Sequence, residues 1–360
     1  MPTDPLTLGQ QLVAVLEGGH RTATYKLAVM VALLDLAVES VTDDPGAAVS
    51  IDLDDLTERV MALYWTQLRP LDEKSHVILR QSNDGRGVVF SQLTALRAAC
   101  TTARLRQIPI ESAKMAVPQE YQAAQSAIKK NLVRYPLKLL QRVGTGTYEC
   151  FLYDDSWLGT DSTRVIDAHG NQIELFPGVC HTLARLAPLV KPAFQLAWVD
   201  DVRRMNREVL GDEPDIAAHL FGTERVSLAR PAEVLSDHFG NDCFYCNARL
   251  RAGRHVDHVL PWSRVGIDGL TNLVLACQSC NSSKSDLLPA PAHVTRALDR
   301  GRAVLDSLAE TIHWPSQFDR VVSASHGLYS TQPATTPTWY APKRIEPLQR
   351  GDFRWTDARF

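Results

Sequence analysis

The hydrophobic and polar positions change rhythm several times along the chain. From about residue 7 to 70 the apolar residues recur at helical spacing. "TYKLAVMVALLDLAVESV" spreads Leu27, Met30, Val31, Leu33, Leu34 and Val38 over most of its circumference, the pattern of a helix buried on all sides. "IDLDDLTERVMALYWTQL" sets Leu56, Val60 and Leu63 at helical spacing, with Asp52 or Asp54 available as its cap. Further helices are predicted at "FSQLTALRAACTTARLR" and over residues 118–142, where Pro136 breaks or kinks the run. Then "TYECFLYD" reads as a strand and "TRVIDAHGNQIELF" as a hairpin turning at "HGN". Helical spacing returns in "HTLARLAPLVK", in "FQLAWVDDVRRMNREVL" and in "AEVLSDHFGNDC", which stops at Gly240. One long helix is predicted at "AHVTRALDRGRAVLDSLAETI". The Pro- and Thr-rich end, "STQPATTPTWYAPKRIEPLQRGDF", reads as chain draped over the body or partly disordered.

Composition adds limits to this pattern. A chain of 360 residues, 45% hydrophobic and 22% charged, can bury its core without staples. The net charge of -3 does not mark a nucleic-acid binder, so any basic surface must be local. Residues 101–142 supply one: Arg104, Arg106, Lys114, Lys129, Lys130, Arg134, Lys138 and Arg142 face only Glu111 and Glu120. Arg203, Arg204 and Arg207 form a second knot. Lys129, Lys130 and Arg134 are therefore candidate nucleic-acid contacts, against the alternative of a solvated helix face. The aromatic residues Tyr64, Trp65, Tyr121, Trp157 and Trp198 read as core. The start has no basic n-region or long apolar run, and Asp35 and Glu39 interrupt the most apolar stretch. A cytoplasmic protein with no membrane partner is the expectation.

Seven cysteines are present. Cys100, Cys150 and Cys180 are scattered and read as core or idle thiols. The other four form two pairs, Cys243-x2-Cys246 and Cys277-x2-Cys280, thirty residues apart. Each pair can turn two thiolates toward one ion, and four thiolates close the tetrahedral shell of a structural zinc. Redox pairs are the alternative, but no βαβ pattern surrounds either one.

Between the pairs the chain reads "RHVDHVLPWSRVGIDGLTNLVLA", a β-like run, a turn at "GIDG" and a second apolar run, followed by "CQSCNSSKSD" entering a helix. A histidine titrates near neutral pH and can take a proton from water. A carboxylate and an amide can hold a hard divalent ion. "DHVLPWS" from Asp257, "TNLVLAC" from Thr271 and "CNSSKSD" from Cys280, in this order within the four-cysteine frame, resemble the HNH endonuclease family. The match covers about 50 residues, Cys243 to Leu288, and says nothing about residues 1–230.

The resemblance implies a ββα-metal fold and a role for each matching residue. His258 would be the general base; Asp257 and Asn281 would hold one Mg²⁺ or Mn²⁺; Asn272 would bond within the loop and orient His258. It also implies 5′-phosphate and 3′-hydroxyl products. His255 is a candidate for metal or DNA contact beside its reading as a surface strand residue. Arg254, Arg264 and Lys284 are candidate phosphate contacts by position, and Trp262 reads as packing.

The expected fold is α+β and mostly helical, with a helical N-terminal region, a small β insertion and a C-terminal zinc-stapled ββα module. The expected domains are 1–143 (helical, for recognition or an effector role), 144–229 (mixed β-hairpin and helix), 230–312 (nuclease) and 313–360 (tail). Double-stranded DNA is the expected partner, a homodimer is left open, and restriction, phage defence or a mobile element is the expected setting. Two alternatives remain: a zinc-stapled nucleic-acid-binding protein without cleavage, and an RNA-directed nuclease.

Overall fold

The computed structural model describes residues 4–18, 21–71, 77–85, 87–102, 109–143, 148–210, 215–222, 227–250, 254–348 and 355. The chain divides into two units, residues 1–37 with 42–226 and residues 38–41 with 227–360. The first unit runs α1 (Pro5–Glu17), α2 (Tyr25–Glu39), β1 (Val49–Asp52), α3 (Leu53–Gln67), α4 (Val88–Thr102), α5 (Ile110–Ala116), α6 (Pro118–Arg134), α7 (Pro136–Leu139), α8 (Thr163–Ala168), β2 (Gln172–Leu175), α9 (Val179–Met205) and α10 (Ile216–Phe221). The second runs α11 (Ala229–Phe239), β3 (His255–His258), α12 (Trp262–Val265), β4 (Leu273–Ala276), α13 (Gln278–Lys284), α14 (Pro291–Leu298), α15 (Arg302–Thr311), α16 (Phe318–Ser330), β5 (Pro337–Ala341) and β6 (Arg344–Pro347). The molecule is thus α+β and mostly helical. No helix among the described residues is long and apolar enough to cross a membrane.

In the first unit α2 is the central helix, as its apolar circumference predicts: every residue from Leu27 to Val38 is buried. Its one charge in that run, Asp35, pairs with Lys191 of α9 at 2.6 Å, both side chains 6% exposed. Buried charges are tolerated when paired in this way. Asp52 caps α3 by accepting from the N–H groups of Asp54 and Asp55.

The β elements differ from the sequence reading. Strand β1 pairs antiparallel with β2, Val49 opposite Leu175 and Asp52 opposite Gln172. The first half of the expected hairpin is the helix α8, so "HGN" is a real turn, with Gly170 at φ 66° and Asn171 at φ 55°, but it leads from helix to strand. "TYECFLYD" contributes no strand among its described residues, only a bridge from Tyr153 to Leu175. There the Gln141 side-chain carbonyl accepts from the N–H groups of Phe151 and Leu152, taking the place of a ladder. The division expected at 143/144 is crossed by the β1–β2 pair and by α1 lying along α9. Pro188 and Pro192 do not split α9, which runs continuously for 27 residues.

In the second unit β3 and β4 form an antiparallel pair, His255 opposite Ala276 and His258 opposite Leu273, and α13 follows at once. The single helix expected after them is two, α14 and α15, separated at Gly301, whose φ of 86° suits glycine. Residues 313–348 are not a loose tail. They form α16 and the β5–β6 hairpin, and Trp339 is 1% exposed. Trp339 exchanges backbone hydrogen bonds with Leu288 and Ala290, and its indole N–H donates to Ser283 on α13 at 3.0 Å.

Candidate active site

The four paired cysteines converge: the sulfurs of Cys243, Cys246, Cys277 and Cys280 all lie within 4.8 Å of one another. Cys246 and Cys277 are 3.8 Å apart. Tetrahedral coordination with bonds of about 2.3 Å puts sulfurs about 3.8 Å apart, so the cluster fits a zinc ion. Its backbone is built for this. Cys243 N–H donates to Ala248, Asn247 N–H donates back to Cys243, and Asn247 turns the chain at φ 58°. Phe244 N–H donates to Leu275, which ties the first pair to β4; the second pair opens α13, with Cys277 as its N-cap. Burial, and then the hydrogen bond with Cys277, push the Cys280 thiol up. A cation is what would hold four such sulfurs together as thiolates.

His258 lies at the end of β3. Its Nε2–H donates to Asp268 Oδ1 at 2.8 Å, and its side chain is 14% exposed. That bond assigns the tautomer: with the proton on Nε2, Nδ1 keeps its lone pair. No described residue bonds Nδ1. Asp268 is itself held, its other carboxylate oxygen accepting from the Trp262 indole at 3.2 Å and its backbone carbonyl from the Trp314 indole at 2.7 Å. The sequence reading missed this aspartate because "GIDG" looked like turn chemistry alone. Its one signal was a carboxylate in the loop that returns from His258.

Asn272 is fully buried and spends its whole amide on that loop. Its Oδ1 accepts from Leu260 N–H at 2.8 Å, and its Nδ2 donates to the carbonyls of Leu260 and Ile267 at 3.0 Å. Its backbone carbonyl accepts from Val259, the residue after His258. Asn272 therefore closes both ends of the loop carrying Asp268 without touching the imidazole.

Asp257 is more enclosed than an open metal ligand. Its Oδ2 accepts from the Tyr245 hydroxyl at 2.6 Å, and Lys284 Nζ lies 3.2 Å from Oδ1 and 3.1 Å from Oδ2. Tyr245, between the first two cysteines, joins the cysteine cluster to this carboxylate, a link no sequence signal announced. Burial, and then Asp257, raise its hydroxyl well above the usual tyrosine range. Asn281 is half-buried on α13, one turn before Lys284 and so on the same side of the helix. The donors on offer, a carboxylate and an amide, are oxygens, as a hard divalent ion requires. Oδ1 retains a lone pair beyond its bond to Lys284. The residues thus fit such an ion, with the Lys284 ammonium as its competitor. His255 lies on the same face of the β3–β4 pair as Asp257, half-buried.

Most of the expected nucleic-acid contacts have protein partners instead. Lys284 is 1% exposed and faces inward to Asp257, which corrects its reading as a surface phosphate contact. Lys129 bonds Asp54 at 2.9 Å and Asn171 at 2.8 Å, and Arg134 bonds Asp161 at 2.6 Å. Arg264 donates to the Asp286 carbonyl at 3.3 Å. Arg254 is exposed and Lys130 is half-buried. Lys114 and Lys138 pair with Glu58 and Asp155, while Arg104 and Arg106 lie outside the described residues.

With His258 as the base of the cleavage proposed below, Asp268→Asn is expected to lower the rate by up to about 10⁴-fold, the cost of turning a carboxylate that fixes a base histidine's tautomer into an amide. Single-turnover rates against pH check it: a loss confined to packing would lower the rate without moving the profile.

A family described as "Domain of unknown function (DUF8808)" matches residues 5–220, and the family described as "HNH endonuclease" matches residues 243–287. No curated protein and no solved structure matches the chain. The chain belongs to the DUF8808 family over most of its length and carries an HNH endonuclease segment around the four-cysteine cluster.

Proposed function

We propose that this protein is a metal-dependent endonuclease that hydrolyses DNA phosphodiester bonds, leaving 5′-phosphate and 3′-hydroxyl ends. The observation that carries the reading is the His258–Asp268 pair inside the cysteine frame. The carboxylate holds Nε2–H, so Nδ1 is the base that takes the proton from an attacking water. Asp268 then stabilises the imidazolium that results. Asp257 and Asn281 would hold Mg²⁺ or Mn²⁺, which supplies positive charge against the phosphate when bound. The zinc has no part in the chemistry, since four cysteines leave it no open position. Arg254, exposed just ahead of β3, is the remaining candidate for a phosphate contact in this unit. Restriction, phage defence or a mobile element is the proposed setting, with DNA specificity supplied by the N-terminal region.

A second reading, a zinc-stapled nucleic-acid-binding protein without cleavage, is favoured by one observation: Lys284 already neutralises Asp257. The deciding experiment offers plasmid DNA, unmodified, methylated or glucosylated, and RNA, each with Mg²⁺ or Mn²⁺. Nicks in DNA that a ligase reseals support the endonuclease and its end chemistry. Binding without a cut in any substrate supports the second reading, and cleavage of RNA alone redirects the first.

A further inference from the structure

We infer that the outer face of α9 is the seam of a homodimer, its occupant the same face of a second copy running antiparallel. The inner face of this helix is anchored by Lys191, Phe194, Trp198 and Val202, all buried. The opposite face carries Arg185, Leu189, Pro192, Ala193, Leu196 and Asp200, all exposed. At 100° per residue these six fall within a sector of about 100°, which exposed Arg203 also enters beyond Asp200, so they form one straight stripe. Its apolar middle is unusually bare: Leu189 is 74% and Leu196 61% exposed. Exposed leucines one heptad apart on a single stripe are characteristic of helix association. Alongside, α1 exposes Leu6 and Val13, also seven residues apart.

The order of residues on the stripe selects the partner. Arg185 and Asp200, Leu189 and Leu196, and Pro192 and Ala193 are each centred on the same point, the peptide bond between Pro192 and Ala193. Two copies of α9 laid antiparallel about a twofold axis at that point therefore match themselves. Leu189 meets the second copy's Leu196, and Arg185 meets its Asp200, each contact occurring twice. The residues on the axis are small enough for the helices to approach. Arg185 has no carboxylate partner among the described residues. Among the described residues Asp200 pairs with Arg203 at 3.3 Å, both largely exposed, and its carboxylate can accept a second guanidinium. A palindromic order of charge and leucine is complementary to itself, so a second copy of this chain supplies the whole matching surface. The seam would place two HNH segments in one particle, one for each strand of a duplex. The dimer itself stands independently of that activity.

The test is sedimentation velocity on the full zinc-loaded chain, from nanomolar to tens of micromolar. The wild type is expected at dimer mass. L189E/L196E, which sets carboxylates along the seam, is expected at monomer mass, with the dissociation constant raised at least about 100-fold. R185E and D200R are each expected to weaken the dimer by about 2- to 30-fold, as two exposed ion pairs would. The combined R185E/D200R variant exchanges the charges and is expected to regain most of the loss. All four residues are exposed, so a wild-type circular dichroism spectrum, a cooperative melt and full zinc content show that the variants fold; should L189E/L196E misfold, the charge exchange decides. A monomeric wild type at the highest concentration overturns the proposal, as does a folded L189E/L196E that remains dimeric. A combined charge variant no better than the single ones overturns the antiparallel pairing.

Discussion

His258→Ala is expected to cut the single-turnover cleavage rate roughly 10²- to 10⁴-fold, the usual contribution of a positioned general base, while leaving the fold and the zinc intact. The separation follows from the geometry. The imidazole is partly exposed and makes one side-chain hydrogen bond, to Asp268. Removing it leaves Asp268 bonded by Trp262 and Trp314, and leaves the Asn272 clasp of the loop untouched. No buried donor is orphaned, so the melting temperature should stay close to wild type. The rate should fall because Nδ1 of His258 carries the lone pair that the bond to Asp268 leaves open for a proton. Added imidazole should restore part of the rate in the alanine variant and none in wild type. A variant that cuts as fast as wild type with normal zinc content would falsify the assignment of His258 as base. Cleavage would then have to be assigned to another residue or to hydroxide from bulk solvent.

Cys243→Ser is expected to have the larger effect on stability. A structural zinc contributes about 10–16 kcal/mol of binding free energy that is realised as folding, comparable with the whole stability of a typical domain, about 5–15 kcal/mol. Serine does not ionise as thiolate does, so the tetrahedral set loses one anionic ligand. The damage should not stop at the metal. Tyr245 sits between Cys243 and Cys246 and holds Asp257, while Phe244 carries a rung to β4. Release of the first pair therefore frees the acid of the candidate active site and one edge of the ββ pair together. Loss of zinc by elemental analysis should accompany loss of amide protection in residues 243–284. The first unit, with its own core around α2, should keep its protection. Full zinc content with unchanged protection in the serine variant is the result that would remove the structural role.

The sequence made the short-range features legible. A CxxC pair brings its sulfurs together through one local turn, so spacing alone announced the cysteine cluster. The period-two run "HVDH" and the apolar "LVLA" fold as the two strands expected, because each carries its own pattern and the connection is short. The apolar circumference of α2 predicted its burial for the same local reason. Asn272 and His258 could be picked out because they match motif positions of the HNH endonuclease family that the segment resembles.

The features decided by tertiary structure are those whose partners lie far along the chain. The basic run at 101–142 looked like a track for DNA, but carboxylates at Glu58, Asp54, Asp161 and Asp155 reach its side chains. Charge counted along a sequence window omits neutralisation from other segments. Lys284 looked like a surface cation until the fold turned it inward to Asp257, where an ion pair offsets the cost of burial. The strand at 172–175 took Val49–Asp52 as its partner instead of the preceding six residues, since a short β pattern specifies a face but not a mate. The C-terminal segment gained structure because Trp339 found a place against α13 and Tyr245, a packing energy invisible in its Pro- and Thr-rich composition. The sequence alone thus determined the metal-binding frame, encoded in local spacing, and the HNH segment, through its resemblance to that family. Only the folded chain determined which charges remain open to a ligand and which carboxylate orients the histidine, because burial and long-range pairing set both.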